Sequence, residues 1–397
     1  MQTAIYLHIP FCVRRCAYCD FNTYAGLLHL REAYVQALLQ EIDRWAARAP
    51  HVQARTLYFG GGTPSLLPAE DVAALIRAVR QAFSLPETAE ITLEANPGTL
   101  TYDGLLALRA AGVNRLSLGA QSADPQELAL LGRIHLWPSV EEAVRLARAA
   151  GFANISLDLM MGLPTQALPG WLKTLDRALA LEPDHLSLYM LSLEEGTPLH
   201  AAVARGAYPC PDADLAADMY LAASESLRAA GFWQYEISNW ARGLTQAPAV
   251  WALPPGGATE GIGPAVCAHN LIYWRNTPWL GFGAGAHSWW EGLRWGNLLA
   301  PDAYIRALHG DQPVVAEEEA IDRATEAGET MMMGLRLAEG VTTARWRARF
   351  GVDLAATYAA VLPRLLQLGL LETDDARIRL SAAGRLLGNQ VFQAFLP

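Results

Sequence analysis

Six times between residues 5 and 189 the chain repeats one unit: a short apolar strand, a loop of glycine, proline or polar residues, and an amphipathic helix. Strands are expected at Ile5–His8, Thr56–Phe59, Glu90–Glu94, Arg115–Gly119, Asn154–Leu159 and His185–Tyr189. Helices are expected at Leu30–Arg48, where Tyr34, Leu38, Ile42 and Trp45 recur at three- and four-residue spacing, at Pro68–Phe83 and at Val140–Ala150. Strands joined through helices lie parallel, because the crossover returns the chain to the end of the sheet it left. The expected fold class is therefore α/β with a parallel sheet. Cys12, Gly60–Gly62, Glu94, Gln121 and Asp158 all fall at or just after the C-terminal end of a strand. Barrel-type and doubly wound sheets carry their sites at that edge.

Beyond the repeats the pattern changes. From Trp240 to Ala268 a Pro/Gly-rich stretch without apolar period reads as a long loop, followed by the aromatic motifs His269-Asn-Leu-Ile-Tyr-Trp274 and Gly281-Phe-Gly-Ala-Gly-Ala-His-Ser288. Residues 324–397 are mostly helical, with a turn at Glu372–Asp375 between Leu370-Leu371 and Ile378–Leu380, which suggests a winged-helix-like module. Three units follow: 1–240, 241–315 as an extension, and 316–397. A net charge of -10 ranks nucleic acid last among partners, and the module, which offers no strong basic excess, reads as a packing or protein-contact domain. No run reaches the roughly 18 apolar residues of a membrane span, and no signal peptide precedes the first strand. Five cysteines suit no disulfide framework, so a reducing cytoplasm is expected.

Three of those cysteines, Cys12, Cys16 and Cys19, crowd into one short loop. Three thiolates hold three irons of a cubane cluster and leave the fourth open to a ligand, unlike electron-transfer clusters with four cysteines. Spacing alone also admits a zinc site with His8 as fourth ligand, or a reactive-thiol loop. Elsewhere, Gly60-Gly-Gly-Thr-Pro-Ser65 is a turn whose missing side chains permit close backbone approach. Glu94 and Gln121 end strands, where they either bind a ligand or merely solvate the strand end. Arg133 offers the planar fork suited to a carboxylate. Asp158 interrupts an apolar strand, and its burial calls for a hydroxyl or cation as partner.

Taken with Tyr6-Leu-His-Ile-Pro-Phe-Cys12 and Tyr18 beside Cys19, these motifs resemble the radical-SAM superfamily over nearly the whole chain. Within it they resemble the branch of oxygen-independent coproporphyrinogen oxidases and HemW-type heme chaperones. The resemblance implies a partial (β/α)6 barrel with a 4Fe-4S cluster on Cys12, Cys16 and Cys19. It also implies S-adenosylmethionine held by Tyr6, Tyr18, Gly61, Gly62, Thr63, Glu94, Gln121, Arg133 and Asp158. The chemistry so implied is electron transfer from the cluster to the sulfonium and hydrogen abstraction by the resulting radical, with protein groups positioning and excluding water.

Three features separate the two functions. The oxidase branch has a further cysteine where Phe21 stands here, and an N-terminal cover where Tyr6 lies near the start. The motif His269-Asn-x-x-Tyr-Trp274 is associated with the chaperones, and His287 and Trp289-Trp290 add aromatic character. All three favour a heme chaperone, with His269 as heme ligand and no residue assigned a catalytic role. The plain alternative for His269 is a structural histidine, and for Cys267 a buried small hydrophobe rather than a thiolate ligand. The stretch before Cys267 is longer than the link usual in the family. Heme is then the cargo, and the expected partners are apo-hemoproteins, membrane-associated respiratory enzymes among them, with a homodimer as a candidate assembly. The runner-up is an oxygen-independent coproporphyrinogen III oxidase, and a heme-modifying radical-SAM enzyme stands third.

Overall fold

The computed structural model describes residues 2–243, 263–374 and 376–397. Residues 244–262 of the long loop expected before Cys267 lie outside the described residues, as does Asp375 of the expected turn.

The repeated unit folds as expected. Strands β1 (Gln2–Ile9), β2 (Gln53–Gly61), β3 (Glu90–Ala95), β4 (Arg115–Gln121), β5 (Ile155–Met161) and β6 (His185–Met190) pair in parallel in chain order. Helices α1 (Arg31–Arg48), α2 (Ala69–Phe83), α3 (Tyr102–Ala111), α4 (Trp137–Ala149) and α5 (Leu168–Leu179) make the crossovers.

The sheet continues past the sixth repeat. On one side β7 (Trp233–Glu236) and β8 (Asn239–Ala241) follow β6, and on the other β9 (Trp279–Phe282) lies parallel to β1. Beyond β9 run β10 (His287–Trp290), β11 (Leu293–Asn297) and β12 (Val315–Ala320), all antiparallel. The order is β12-β11-β10-β9-β1-β2-β3-β4-β5-β6-β8-β7. Seven parallel strands therefore stand where six were expected, and the segment expected as a separate extension supplies strands to the same sheet. The reason is the edge of β1: its Ile5 and Leu7 are fully buried, and a bare edge there would leave backbone groups unpaired beside the core.

Side-chain alternation divides the sheet into two faces. Ile5 and Leu7, Leu57 and Phe59, Ile91 and Leu93, Leu116 and Leu118, and Leu157 and Leu159 join the core that the helices cover. The intervening residues Tyr6, Tyr58, Glu94, Ser117 and Asp158 point the other way. Register aligns them across the sheet: Tyr6 opposite Tyr58, Glu94 opposite Ser117, and Asp158 opposite Ser187. The polar face so formed is the floor of the site.

After α6 (Ala268–Trp274) and the strands of residues 279–320, α7 (Arg323–Gly334) opens the C-terminal region. It packs with a small antiparallel sheet of β13 (Val341–Thr342), β14 (Leu371–Asp374) and β15 (Arg377–Leu380) around a second core that includes Met331, Leu335, Trp346, Phe392 and Phe395. Among the described residues no helix is long and apolar enough to cross a membrane.

Candidate functional site: a cysteine loop over a polar sheet face

The cysteine loop leaves β1 at Pro10. Phe11-Cys12 pairs in parallel with Tyr24-Ala25, closing the loop into a short ladder. Further bonds fasten it to the sheet: Gly62 N–H donates to the Ile9 carbonyl at 2.8 Å, Thr63 N–H to that of Phe11 at 2.8 Å, and Ala17 N–H to that of Leu131 at 2.9 Å. Asn22 Nδ2 donates to the carbonyls of Ala284 at 3.0 Å and Leu299 at 2.9 Å, so the turns that follow β9 and β11 hold the loop as well.

His8 is part of this fastening. Its Nδ1 lies 3.1 Å from Tyr6 Oη and its Nε2 2.9 Å from the Asn22 carbonyl. With both ring nitrogens engaged by the protein, His8 is not placed as a fourth ligand beside the cysteines. Burial holds its pKa below the ordinary imidazole value, which favours the neutral ring these bonds require.

The glycine run has a physical cause that the sequence reading missed. A Cβ on Gly61 would lie 2.4 Å from His8 Cε1, and Gly61 has φ +107°, which glycine adopts most easily. A Cβ on Gly62 would meet the Phe11 carbonyl oxygen at 2.6 Å. These glycines seat the cysteine loop against the strand ends.

Cys12, Cys16 and Cys19 are partly exposed and open onto one cavity of about 350 Å³, a size suited to a small cofactor. Thr63 Oγ1 lies 3.6 Å from Cys12 Sγ, Thr23 Oγ1 3.8 Å from Cys19 Sγ, and Arg133 Nη1 3.4 Å from Cys16 Sγ. The other walls bring together Tyr18, Gly61, Gly62, Thr63, Glu94, Gln121, Arg133 and Asp158, as the motifs suggested. Tyr6 departs from that set: its ring lies against Tyr58 with centroids 6.2 Å apart, and it does not line the cavity.

Several lining residues went unassigned from sequence. Asn96 ties two walls together, donating to Thr63 Oγ1 at 2.9 Å and accepting a short bond from Arg133 Nη2. Arg133 Nη2 also donates to the Gly119 carbonyl at 2.7 Å. Tyr58 Oη donates to Glu94 Oε1 at 2.8 Å, and Ser117 Oγ donates to Asp158 Oδ1 at 3.1 Å and Oδ2 at 3.0 Å. Position was the available signal: Asn96 follows Glu94 by two residues, and Tyr58 and Ser117 occupy inward places in their strands.

Electrostatics set the character of the cavity. Burial pushes Glu94 up to about 7, against the lowering effect of its bonds from Tyr58 and the Gly61 N–H. Burial likewise raises Asp158 from the ordinary carboxylate value, opposed by neighbouring serine hydroxyls. Two desolvated carboxylates facing a hollow suit a ligand with positive charge and hydroxyls, and the Arg133 fork suits a ligand carboxylate. The ammonium, sulfonium, ribose and carboxylate of S-adenosylmethionine match that donor set, and three thiols at the rim match a cubane with one open iron.

The aromatic motif lies elsewhere. His269 sits in the first turn of α6, 1 % exposed, with Nδ1 2.8 Å from Thr56 Oγ1 and Nε2 3.0 Å from Tyr273 Oη. Burial pushes its pKa down to about 3. Both ring nitrogens are engaged inside the protein, so this arrangement does not present the imidazole to heme. Cys267 is fully buried, with Sγ 3.6 Å from Glu90 Oε1 and its thiol pushed up to about 12 by burial, as befits a small hydrophobe. His287 is exposed while Trp289 and Trp290 are buried.

Comparison with known proteins agrees with this architecture. The Radical SAM superfamily matches residues 6–178, and the HemN C-terminal domain matches residues 321–387. Heme chaperone HemW of Mycobacterium tuberculosis is 37% identical, over 99% of this chain and 94% of that protein. Heme chaperone HemW of Bacillus subtilis is 35% identical, over 98% of each. The mouse Radical S-adenosyl methionine domain-containing protein 1, mitochondrial, is 37% identical over 100% of this chain and 88% of its own length. Among solved structures, coproporphyrinogen III oxidase (HemN) from Escherichia coli, a radical SAM enzyme, superposes with a TM-score of 0.82 at 25% identity, covering 99% of this chain and 90% of that one. Sharing more than a third of its residues with such relatives from end to end, the chain belongs to the radical SAM superfamily and, within it, to the family of the HemW proteins.

Proposed function

We propose that this chain is a heme chaperone, which binds heme and delivers it to apo-hemoproteins. The observation that carries the reading is end-to-end similarity to proteins named heme chaperone HemW. Phe21 supports it, since the oxidase branch has a cysteine at that place, and the Phe21 side chain here is 63% exposed at the mouth of the cavity. Membrane-associated respiratory enzymes are the recipients we favour, with the cytoplasm as the compartment and a homodimer as the assembly.

In this reading Cys12, Cys16 and Cys19 would hold a 4Fe-4S cluster, and the cavity they open onto would take S-adenosylmethionine. When bound, the two groups supply one-electron reductive chemistry. Arg133 keeps one N–H group on Cys16 and anchors the other side of its fork to Asn96 and Gly119, so the guanidinium stands fixed between thiol and cavity. Burial favours the protonated form of Glu94, and an approaching cation favours the ionised one, because the opposite charge offsets its desolvation. Asp158, held by Ser117, keeps both oxygens oriented for a hydroxyl or ammonium. Gln121, at φ +65° on a register shift at the end of β4, turns its amide to the same hollow.

The fold likeness to the Escherichia coli oxidase favours coproporphyrinogen III oxidation as the second reading. One sample separates the two. Anaerobically reconstituted protein is titrated with heme, offered an apo-hemoprotein, and incubated with coproporphyrinogen and S-adenosylmethionine under reducing conditions. The chaperone reading expects heme uptake at micromolar concentration, transfer to the acceptor and no decarboxylation. Catalytic turnover of coproporphyrinogen, or absence of heme uptake, overturns it.

A further inference from the structure

We propose that His269 is a positioning residue of the cofactor cavity, holding the Tyr58 ring from beneath so that Tyr58 fixes the Glu94 carboxylate. This rests on the reading that the cavity binds S-adenosylmethionine.

The argument begins with the anchoring of α6. The Glu90 carboxylate, at the start of β3, accepts the Ala268 N–H at 2.9 Å and the His269 N–H at 3.0 Å. Two backbone donors of the first helical turn, which lack partners within the helix, are thereby tied to the sheet. The His269 side chain is then clamped at both nitrogens, by Thr56 of β2 and by Tyr273 one turn along its own helix. Each bond needs the ring in one orientation, so the imidazole cannot swing.

Clamped so, the ring packs on Tyr58, with centroids 4.9 Å apart and planes inclined by 31°. Thr56 and Tyr58 are successive inward residues of β2, so His269 bonds the first and supports the second. Tyr58 lines the cavity with its hydroxyl on Glu94, and its ring also stacks on that of Tyr6. His269, by contrast, does not line the cavity. The chain of contact runs from Glu90 through His269 and Tyr58 to Glu94, linking the aromatic motif of α6 to the carboxylate that faces the ligand. A histidine suits the task because one flat ring offers two nitrogens in its plane and a face for stacking.

The consequence is that removing His269 acts on S-adenosylmethionine, not on heme. The experiment uses the full chain with its cluster reconstituted, comparing His269→Ala, Tyr58→Phe and the double variant. S-adenosylmethionine affinity is read by calorimetry, heme affinity by absorbance titration, and iron content and circular dichroism check integrity. Each single variant is expected to weaken S-adenosylmethionine by about tenfold, the low end for a hydrogen bond to a charged group, with heme affinity unchanged. The double variant is expected to be no weaker than the weaker single, because both remove the same constraint on Glu94. A merely structural histidine would not produce that non-additivity. If His269→Ala does not fold, His269→Gln replaces it in the cycle, and Tyr58→Phe, which keeps the ring and deletes only the bond to Glu94, must still show its loss. The proposal is overturned by unchanged S-adenosylmethionine affinity in the single variants, by multiplicative losses in the double, or by loss of heme binding alone in the His269 variant. Failure of wild-type protein to take up heme overturns the chaperone reading and leaves the S-adenosylmethionine cycle standing as its own test.

Discussion

Replacing Gly61 by alanine should damage the site through its support. A Cβ there would meet the His8 ring at 2.4 Å from Cε1 and 2.6 Å from Nδ1, and the backbone is at φ +107°. The backbone cost for an L-residue with positive φ is about 1–2 kcal/mol. The steric clash adds about 1–3 kcal/mol, because the ring is buried and cannot yield without leaving Asn22. We expect a total near 2–5 kcal/mol, set by how much of the His8 bonding survives. Gly151→Ala supplies the control: φ is +87° there, but a Cβ meets nothing within 4 Å, so only the backbone term of about 1–2 kcal/mol applies. Urea unfolding of both cluster-free variants, followed by tryptophan fluorescence, measures the difference. Iron content after reconstitution gives the second readout, because a displaced His8 releases Asn22 and with it the cysteine loop; it should fall in Gly61→Ala and hold in Gly151→Ala. Equal destabilisation of the two variants, or a full iron complement in Gly61→Ala, would refute the claim that this glycine exists to seat the loop.

Arg133→Ala should weaken S-adenosylmethionine about 10- to 100-fold, the worth of a charge-assisted hydrogen bond, while iron content stays close to wild type because all three thiols remain; unchanged affinity in calorimetry would remove Arg133 from the site. The contribution of Glu41 to the stability of the cluster-free protein should fall as pH rises from about 4.5 to about 7, read as the difference between wild type and Glu41→Gln because the buried neutral rings of His8, His135, His185 and His269 contribute in the opposite direction below the ordinary imidazole value. Burial raises Glu41 to about 7 in the folded chain, despite its bonds from Tyr304, Gly283 and Asn297, so the folded state retains a proton that the unfolded state releases across that window. Glu94 is raised to the same value and contributes in the same direction, so Glu41→Gln should remove part of the carboxylate contribution, and a urea midpoint profile that runs parallel to wild type across that pH range would contradict the assignment.

The cofactor cavity was legible because its residues sit at fixed places in a repeated unit. Glu94 and Asp158 break apolar strands at inward positions, and a charge there has to meet something polar. Asn96, Tyr58 and Ser117 were harder to see, since burying an amide or hydroxyl costs far less than burying a charge and points less sharply to a partner. Tyr6 was expected at the cofactor from the family resemblance; it shares the face of Glu94, but its ring lies against Tyr58 and 3.0 Å from where a Cβ on Gly60 would sit, outside the cavity wall.

Local order in the chain determined the strand–helix alternation, the parallel sheet and the site edge, because hydrophobic period and turn chemistry act over a few residues at a time. It also determined the cysteine loop, whose three thiols are close in space however the rest folds. Tertiary structure alone decided the partners of what lies far apart in sequence. It set β9 beside β1, brought Asn22 to the carbonyls of Ala284 and Leu299, and turned His269 inward onto Thr56 and Tyr58 rather than outward to a cargo. An imidazole reads the same in a sequence whether it ligates iron or supports a tyrosine, and only the groups that meet its two nitrogens, here supplied from a strand more than two hundred residues away and from the next turn of its own helix, distinguish the two.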